Sequence, residues 1–465
     1  MRLAIPPELS QLLGTGLLRS IGSLTIKVAT AGLTYVTYVV LSRTMTQTEY
    51  GHFAFGLALA TVLAIAAAMG QPTAILRFWP EAMVANKRDM AQRAVRSGTT
   101  LIILAALAIV AALALMVFVA SHTMTLDDTT NHLYGAAFLV LPMALAEFYS
   151  AALRAQGSVW TALLPRDILW RLAVPIVVIG LYAMGIVLSG ADALVLTAAL
   201  LIGALVLQYW IALRAKYELR MDWGGTAEYW AQNGAISRWL LLGALIETAA
   251  LNVDVILLGL LDNLDNSAIY FNAFRTAGLM TLISYSIVLV IAPMITRSFY
   301  ANEMRKAQLL ASASVWVGFS FSLLIFLAFV LFGDQILLLF GPGYGDGQLI
   351  LVLLAVGLLV DAATGPSRTL MMTTGHERSY VYAMGGITLV SLIVQVLVLP
   401  AYGMVGLALV NMLARLVSQA FMAIWCVRFI GIDPTIFGIL RLRPKQLRGP
   451  RTRRNRNRAP DSGQN

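Results

Sequence analysis

The sequence predicts an all-α polytopic membrane protein, with about twelve transmembrane helices in two parallel six-helix repeats. Three observations predict it. The 465 residues are 59% hydrophobic and only 12% charged, against about 25% charged in ordinary soluble domains. With a mean hydropathy of +0.78, a soluble surface cannot be built from this composition. The apolar residues fall into twelve stretches long enough to cross a bilayer. Finally, features of the first six recur in the last six at a near-constant offset.

In order, the predicted spans are 17–42, 49–70, 97–120, 133–154, 167–188, 192–213, 238–260, 268–294, 309–332, 347–372, 379–400 and 404–429. They divide the chain into an N-terminal six-helix bundle (1–213), a cytoplasmic linker (214–237) and a C-terminal six-helix bundle (238–430). A basic cytoplasmic tail (431–465), expected to be disordered, follows. The first stretch is too long for a signal-peptide core and lacks a small-residue cleavage site, so it is expected to persist as the first helix. The lone cysteine, Cys426, excludes an intramolecular disulfide and any cysteine metal cluster. It falls in the last span as a small packing residue.

Lys and Arg set the orientation. Loops on one side carry Arg77, Lys87, Arg88, Arg93, Arg96, Arg154, Arg166, Arg214, Lys216, Arg220, Arg297, Arg305, Lys306, Arg368 and Arg378. Those on the other side (121–132, 189–191, 261–267, 333–346 and 401–403) carry none, and only Arg43 breaks the pattern. Both termini are therefore expected to be cytoplasmic. The longer inner loops, 71–96 and 214–237, are each long enough for an amphipathic segment, but not for a catalytic domain. The tail holds nine Lys/Arg between Arg441 and Arg458, a composition suited to anionic lipid at the surface or to a partner enzyme. No folded basic module accompanies it, so nucleic acid is not an expected partner.

The duplication is read at offsets of 218 to 220 residues. Thr48-Glu-Tyr-Gly-His-Phe-Ala-Phe55 lies over Ser267-Ala-Ile-Tyr-Phe-Asn-Ala-Phe274. Arg77 falls on Arg297, Gly157 on Gly375, and Tyr182-Ala-Met184 on Tyr402-Gly-Met404. Six spans per unit give both halves the same orientation. Parallel repeats about an axis along the membrane normal are an architecture of carriers that rock one half against the other.

Ionisable groups at bilayer depth are expensive and usually face a cavity or a partner. Here they are Lys27, Glu147, Glu247, Asp254, Arg275, Asp361 and Arg415. At about 100° per residue, Ser20, Ser23, Lys27, Thr30, Thr34 and Thr37 form one polar stripe on the first helix. Under the repeat Lys27 superposes on Glu247, across a central cleft. Asp254 and Arg275 each lie roughly 10 Å inside the outer ends of their helices, which suggests a pair. Lys27, Glu247, Asp254 and Arg275 are expected to line a pathway. Arg415 is expected to pair with Asp361, and Glu147 has no evident partner. His52, His122, His132 and His376 lie at span ends or in loops without metal spacing. Phe340-Gly-Pro-Gly-Tyr344 is an outer turn. No HExxH, phosphate loop or GxSxG motif is present, so neither a metal nor a cofactor is expected.

Several runs resemble the Wzx-type polysaccharide-biosynthesis flippases of the multidrug/oligosaccharidyl-lipid/polysaccharide exporter superfamily. They are Thr48 to Phe55, Met69-Gly-Gln-Pro-Thr-Ala-Ile-Leu-Arg-Phe78 with Pro80-Glu81, Asp254-Val-Ile-Leu-Leu-Gly259 before Tyr270, and Phe340 to Tyr344. The resemblance covers essentially the whole chain. It implies a MATE-like V-shaped bundle that moves undecaprenyl-diphosphate-linked oligosaccharide from the cytoplasmic to the periplasmic leaflet, for O-antigen, capsule or exopolysaccharide. It further implies a cationic cavity for the diphosphate, with Lys27, Arg275 and Arg415 as the available cations. A lateral opening for the lipid is expected between helices one, two, seven and eight. Membrane lipid, a polysaccharide polymerase and glycosyltransferases are the implied partners. Glu247 and Asp254 are candidates for coupling to a proton or sodium gradient, because a buried carboxylate can exchange a proton. The runner-up is a cation/drug antiporter of the same superfamily. A membrane polymerase or ligase would need a sizeable outer loop bearing catalytic residues, and no such loop exists.

Overall fold

The computed structural model describes residues 7–123, 131–218 and 221–442, with side chains throughout except those of 7–24, 27, 120–123, 283, 285, 289, 290 and 442. Among these residues there is no β-strand, and helices cover all twelve predicted spans. The first lies in α1 (Pro7–Thr44). The second is α2 (Gln47–Ala67), which breaks at Met69 and Gly70, both at positive φ, and resumes as α3 (Gln71–Val84). Then come α4 (Arg88–Thr123), α5 (Asn131–Ala155), the short α6 (Val159–Leu163), α7 (Trp170–Ala183), α8 (Gly190–Gln208) and the one-turn α9 (Arg214–Lys216).

The second half follows the same plan. α10 (Trp223–Leu261) carries the seventh span, and α11 (Leu264–Gly278) and α12 (Thr281–Tyr300) share the eighth across a break. α13 (Met304–Leu337), α14 (Gln348–Thr364) and α15 (Ser367–Thr373) follow. The last two spans are the arms of α16 (Glu377–Trp425), folded at Gly403, whose φ of 55° and ψ of −148° are non-helical. Eight of these segments are long and apolar enough to cross a membrane, α16 holding two spans. The protein is a multi-pass membrane protein.

Both inner loops that left room for amphipathic segments are helical. α3 buries Ile75, Trp79 and Ala82 while exposing Arg77 and Glu81. Residues 223–237 form the start of α10, capped by Asp222, which accepts from the Gly225 N–H at 2.9 Å. This stretch binds the first bundle through Tyr229 to Gln71 (2.9 Å) and Gln71 to Ser237 (3.2 Å). The linker thus runs straight into span seven.

Backbone geometry makes the duplication visible. Asn86 and Asn302 both sit at positive φ (56° and 59°) after an alanine, closing α3 and α12. The following N–H returns five residues in each case, Lys87 to Ala82 and Glu303 to Ser298, both at 2.9 Å. That is the left-handed helix stop, which Asn tolerates. Gly157 and Gly375, matched in the sequence, repeat it at φ 77° and 84°. Both halves therefore share the same turns, and in each the second helix is interrupted, by a left-handed break at Met69 and Gly70 in the first and by a tightened helical turn at Leu279 and Met280 in the second.

Part of the tail departs from its expected disorder. Residues 431–442 dock on the second bundle, with Ile432 fully buried. Gln308 of α13 holds Asp433 by two backbone bonds of 2.8 Å. A rigid side-chain amide that pairs with main chain explains this order, which the basic composition hid. The basic residues beyond 442 lie outside the described residues.

The halves meet on the side whose loops lack Lys and Arg. Tyr50 donates to Asn272 at 2.7 Å and Thr48 to Asp265 at 2.8 Å. Tyr35 meets Phe340 edge-on at 5.2 Å, and Tyr38 meets Phe271 at 4.9 Å. Arg43, the exception to the charge pattern, donates to the carbonyls of Leu338 and Leu339 at 2.5 and 2.7 Å. It caps the end of α13 across the interface. A Cβ on Gly51 would land on the Leu264 carbonyl. Gly51→Ala is therefore expected to pry this seal apart. In a Thr48→Cys/Asp265→Cys background, oxidative cross-linking should form readily and fall several-fold on adding Gly51→Ala. Equal cross-linking in both backgrounds would show that the close approach is not needed.

Candidate functional site

The second bundle is organised around one carboxylate. Asp254, on α10, is only 4% exposed. It accepts from the Tyr270 hydroxyl of α11, from Gln395 Nε2 (2.7 Å) on the first arm of α16, and from Asn411 Nδ2 (2.8 Å) on the second. The pair expected between Asp254 and Arg275 does not form. On α11 the five residues from Tyr270 to Arg275 turn through roughly 140°, so only one of the two can face Asp254. Tyr270 does. Arg275 instead donates to Asn252 at 3.2 Å and sits 4.9 Å from the Phe271 ring. Among the described residues no carboxylate lies within salt-bridge distance of it, and its Nε has no partner.

Arg275 borders a cavity of about 300 Å³ between the bundles. Thr34, Tyr35 and Tyr38 of α1 supply one wall. Gly278, Leu279 and Thr281, at the break between α11 and α12, supply another, and Leu354, Leu358 and Arg415 close it. Among the described residues the lining holds two guanidiniums and no carboxylate.

Arg415 pairs with Asp361 at 3.0 Å, as the sequence suggested, and also donates to Asn411 at 3.0 Å. Asp361 takes a second bond from Gln419 at 2.5 Å. Asn411, Arg415 and Gln419 recur every four residues on one helical face, which puts a single polar ridge along the arm. Through Asn411 this ridge continues to Asp254, so the cavity wall and the buried carboxylate belong to one hydrogen-bond network.

The remaining predicted residues are placed differently. Glu247, expected to line the pathway, does not border this cavity: it is more than half exposed and bonds Arg368 bidentately at 2.9 and 3.0 Å. By sequence Arg368 belongs to an inner loop, and α15 brings it to Glu247. Lys27 lies on α1, but its side chain is outside the described residues. Of its polar stripe, Thr30, Thr34 and Thr37 each bond back one turn along α1, at 2.6 to 2.8 Å. Only Thr34 lines the cavity, while Thr37 also reaches the Arg171 carbonyl at 3.1 Å. Glu147 finds Arg166, another arginine that the sequence places in a loop. His52 and His132 stack at 4.5 Å at the outer ends of α2 and α5, His376 meets Trp425, and His122 lies outside the described residues. Cys426 is fully buried and points at the Ser367 carbonyl.

Sequence reasoning missed Arg171, which follows a π-helical turn over Leu164–Leu169. It stacks on Trp170 at 4.4 Å, pairs with Asp167 at 3.7 Å, and lies within electrostatic reach of Tyr38 and Arg275. Neutral Asn252, Tyr270, Gln395 and Asn411 were missed as well. Their signal was present, as amides and a phenol inside apolar spans.

Residues 17–299 match the family model described as "Polysaccharide biosynthesis protein". No curated protein matches by sequence. Three solved structures share the fold at low identity. A lipid II flippase, MurJ, in an inward closed conformation aligns with a TM-score of 0.70 at 14% identity, over 91% of this chain and 90% of its own. An inward-facing multidrug resistance MATE family transporter of the MOP superfamily gives 0.66 at 16% identity, over 91% and 98%. A MOP superfamily transporter from Pyrococcus furiosus gives 0.57 at 15% identity, over 88% and 94%. The fold is thus that of MOP superfamily transporters.

Removing the central carboxylate leaves three buried donors unpaired, each worth about 1–3 kcal/mol. Asp254→Ala should lower unfolding stability in detergent by about 3 kcal/mol, and Tyr270→Phe by about 1.5. Thermal melts of the purified variants check this; an unchanged Asp254→Ala melt would refute the network's structural role.

Proposed function

Because the chain belongs to the polysaccharide biosynthesis protein family, we propose that it translocates undecaprenyl-diphosphate-linked oligosaccharide repeat units across the bacterial inner membrane by alternating access. Both termini are cytoplasmic in this reading, and the product feeds cell-surface polysaccharide synthesis. The observation that carries it is the cavity between the bundles, with Arg275 and Arg415 and, among the described residues, no carboxylate in its lining. Diphosphate and sugars cannot cross roughly 30 Å of hydrocarbon unaided. A cleft that offers guanidiniums, whose planar donors suit phosphate oxygens, supplies part of what the headgroup loses on leaving water.

The cavity's charge argues against the cation/drug antiporter, since Arg275, which has no carboxylate within salt-bridge distance among the described residues, would repel the cargo. Closure on the outer side favours loading from the cytoplasm. Of the two carboxylates considered for ion coupling, Glu247 is held by Arg368 in an exposed pair. Asp254 is buried and better suited to a proton- or sodium-dependent step. The reading needs no enzyme chemistry. Glycosyltransferases would supply the substrate and a polymerase would consume it on the far side.

The test is the sidedness of undecaprenyl-diphosphate-linked glycan in cells lacking the protein. Glycan should accumulate on the cytoplasmic face and be cleared by the wild type. Arg275→Ala should cut delivery at least tenfold, while Arg275→Lys, which keeps the charge but not the planar donors, should recover part of it. Normal sidedness in the deletion strain would overturn the proposal.

A further inference from the structure

Arg415 belongs to two environments at once. Its side chain borders the cavity, yet its Nη1 donates to Asp361 and its Nε to Asn411, both at 3.0 Å. The pair is built into the helices. Gly357, four residues before Asp361 on α14, leaves room for the arginine stem: a Cβ there would come within 2.8 Å of Arg415 Cδ. Gln419 fixes the other Asp361 oxygen at 2.5 Å and accepts in turn from Thr364 at 2.7 Å. The two charged side chains keep 22% and 28% exposure, so the bond is within reach of the cavity. Asp361 itself does not line it.

Resting on the function proposed above, we propose that Asp361 is a built-in counter-anion. It holds Arg415 while the cavity is empty and yields it to the anionic headgroup when the cavity fills. An unpaired guanidinium in a low-dielectric interior is costly. A carrier must pass through its cycle both loaded and empty, and only the loaded form has phosphate to neutralise its cations. Asp361 stands in for phosphate during the empty return. Arg275 has no such substitute, because its described contacts are an amide oxygen and aromatic rings. The two arginines therefore have separate roles. Arg275 captures the anion, and Arg415 with Asp361 sets how readily the cavity empties and resets. Two anions competing for one guanidinium must weaken each other's binding, which makes the assignment measurable.

The experiment titrates the full-length protein, in nanodiscs of zwitterionic lipid, with undecaprenyl diphosphate and separately with inorganic pyrophosphate, and measures glycan translocation for the same variants. Asp361→Asn removes the competitor and should tighten binding of undecaprenyl diphosphate about tenfold while slowing translocation; Asp361→Glu should restore both. Tighter pyrophosphate binding in parallel would assign the effect to the diphosphate, whereas tightening of the lipid alone would overturn the pairing argument. Gly357→Ala, which keeps every charge and crowds Arg415 off α14, should shift both readouts the same way by a smaller factor. It also covers the case that Asp361→Asn does not fold. If wild type binds neither probe, the proposed function fails and this inference with it. If wild type binds and the folded Asp361→Asn or Gly357→Ala variants bind no tighter, Asp361 is a static packing partner and only the inference falls.

Discussion

The buried carboxylate of Asp254 is the interaction on which the second bundle depends. It collects a phenol from α11 and amides from both arms of α16, so one side chain fixes the mutual position of the seventh, eighth, eleventh and twelfth spans. In hydrocarbon, apolar packing alone discriminates poorly between helix registers, because lipid tails are as apolar as the helices. A charged acceptor with directional donors does discriminate. Once α11 is set by Tyr270, helical geometry turns Arg275 toward the interface between bundles. Once the second arm is set by Asn411, Arg415 follows one turn later at the cavity wall. The two cations of the candidate site are thus positioned by an anion that never meets the cavity.

The same helix also links the site to the outer seal. Within α11, Asn272 accepts from Tyr50 of the first bundle and Phe271 packs against Tyr38 and Tyr50, while Arg275 faces the cavity and ends up over Phe271. Shortly after Arg275 the helix tightens into i→i+3 bonds at Leu279 and Met280, and Gly278, Leu279 and Thr281 around this turn line the cavity. Arg275 thus rests on Phe271, and Phe271 is part of the contact between the bundles. Interlocked side chains of this kind switch between discrete arrangements more readily than they deform.

How much of this was legible follows from what a one-dimensional pattern encodes. Apolar length and loop charge report on the bilayer directly, so the twelve spans and the duplication of turns at Gly157 and Gly375 could be read. The Arg415–Asp361 pair was legible because both charges sit in spans of one half. Partners across depth were not. Arg166 and Arg368 look like loop residues by position, and only the π turn before α7 and the short α15 bring them to Glu147 and Glu247. Asp254 was found, but its partners were sought among charges, while neutral Tyr270, Gln395 and Asn411 hold it. A carboxylate inside a membrane protein needs donors, and donors need not be ionised. The docking of 431–442 was hidden for a related reason: a Gln308 side chain that pairs with main chain leaves no compositional trace.

The division of the cavity wall between the halves bears on how such a protein can use its ligand. Thr34, Tyr35 and Tyr38 come from the first bundle and Arg275, Thr281 and Arg415 from the second. A ligand can shift a conformational equilibrium only by as much as its affinity differs between the two states. A site contained within one bundle would move as a rigid body and give no such difference. Here the contacts span the interface, so any movement of one bundle against the other would change the distance between the α1 wall and the guanidiniums. Tyr50, Asn272 and the aromatic cluster hold the two bundles together on the side whose loops lack Lys and Arg. An anion seated on Arg275 would sit beside Phe271, within one side chain of the contacts that hold this side together.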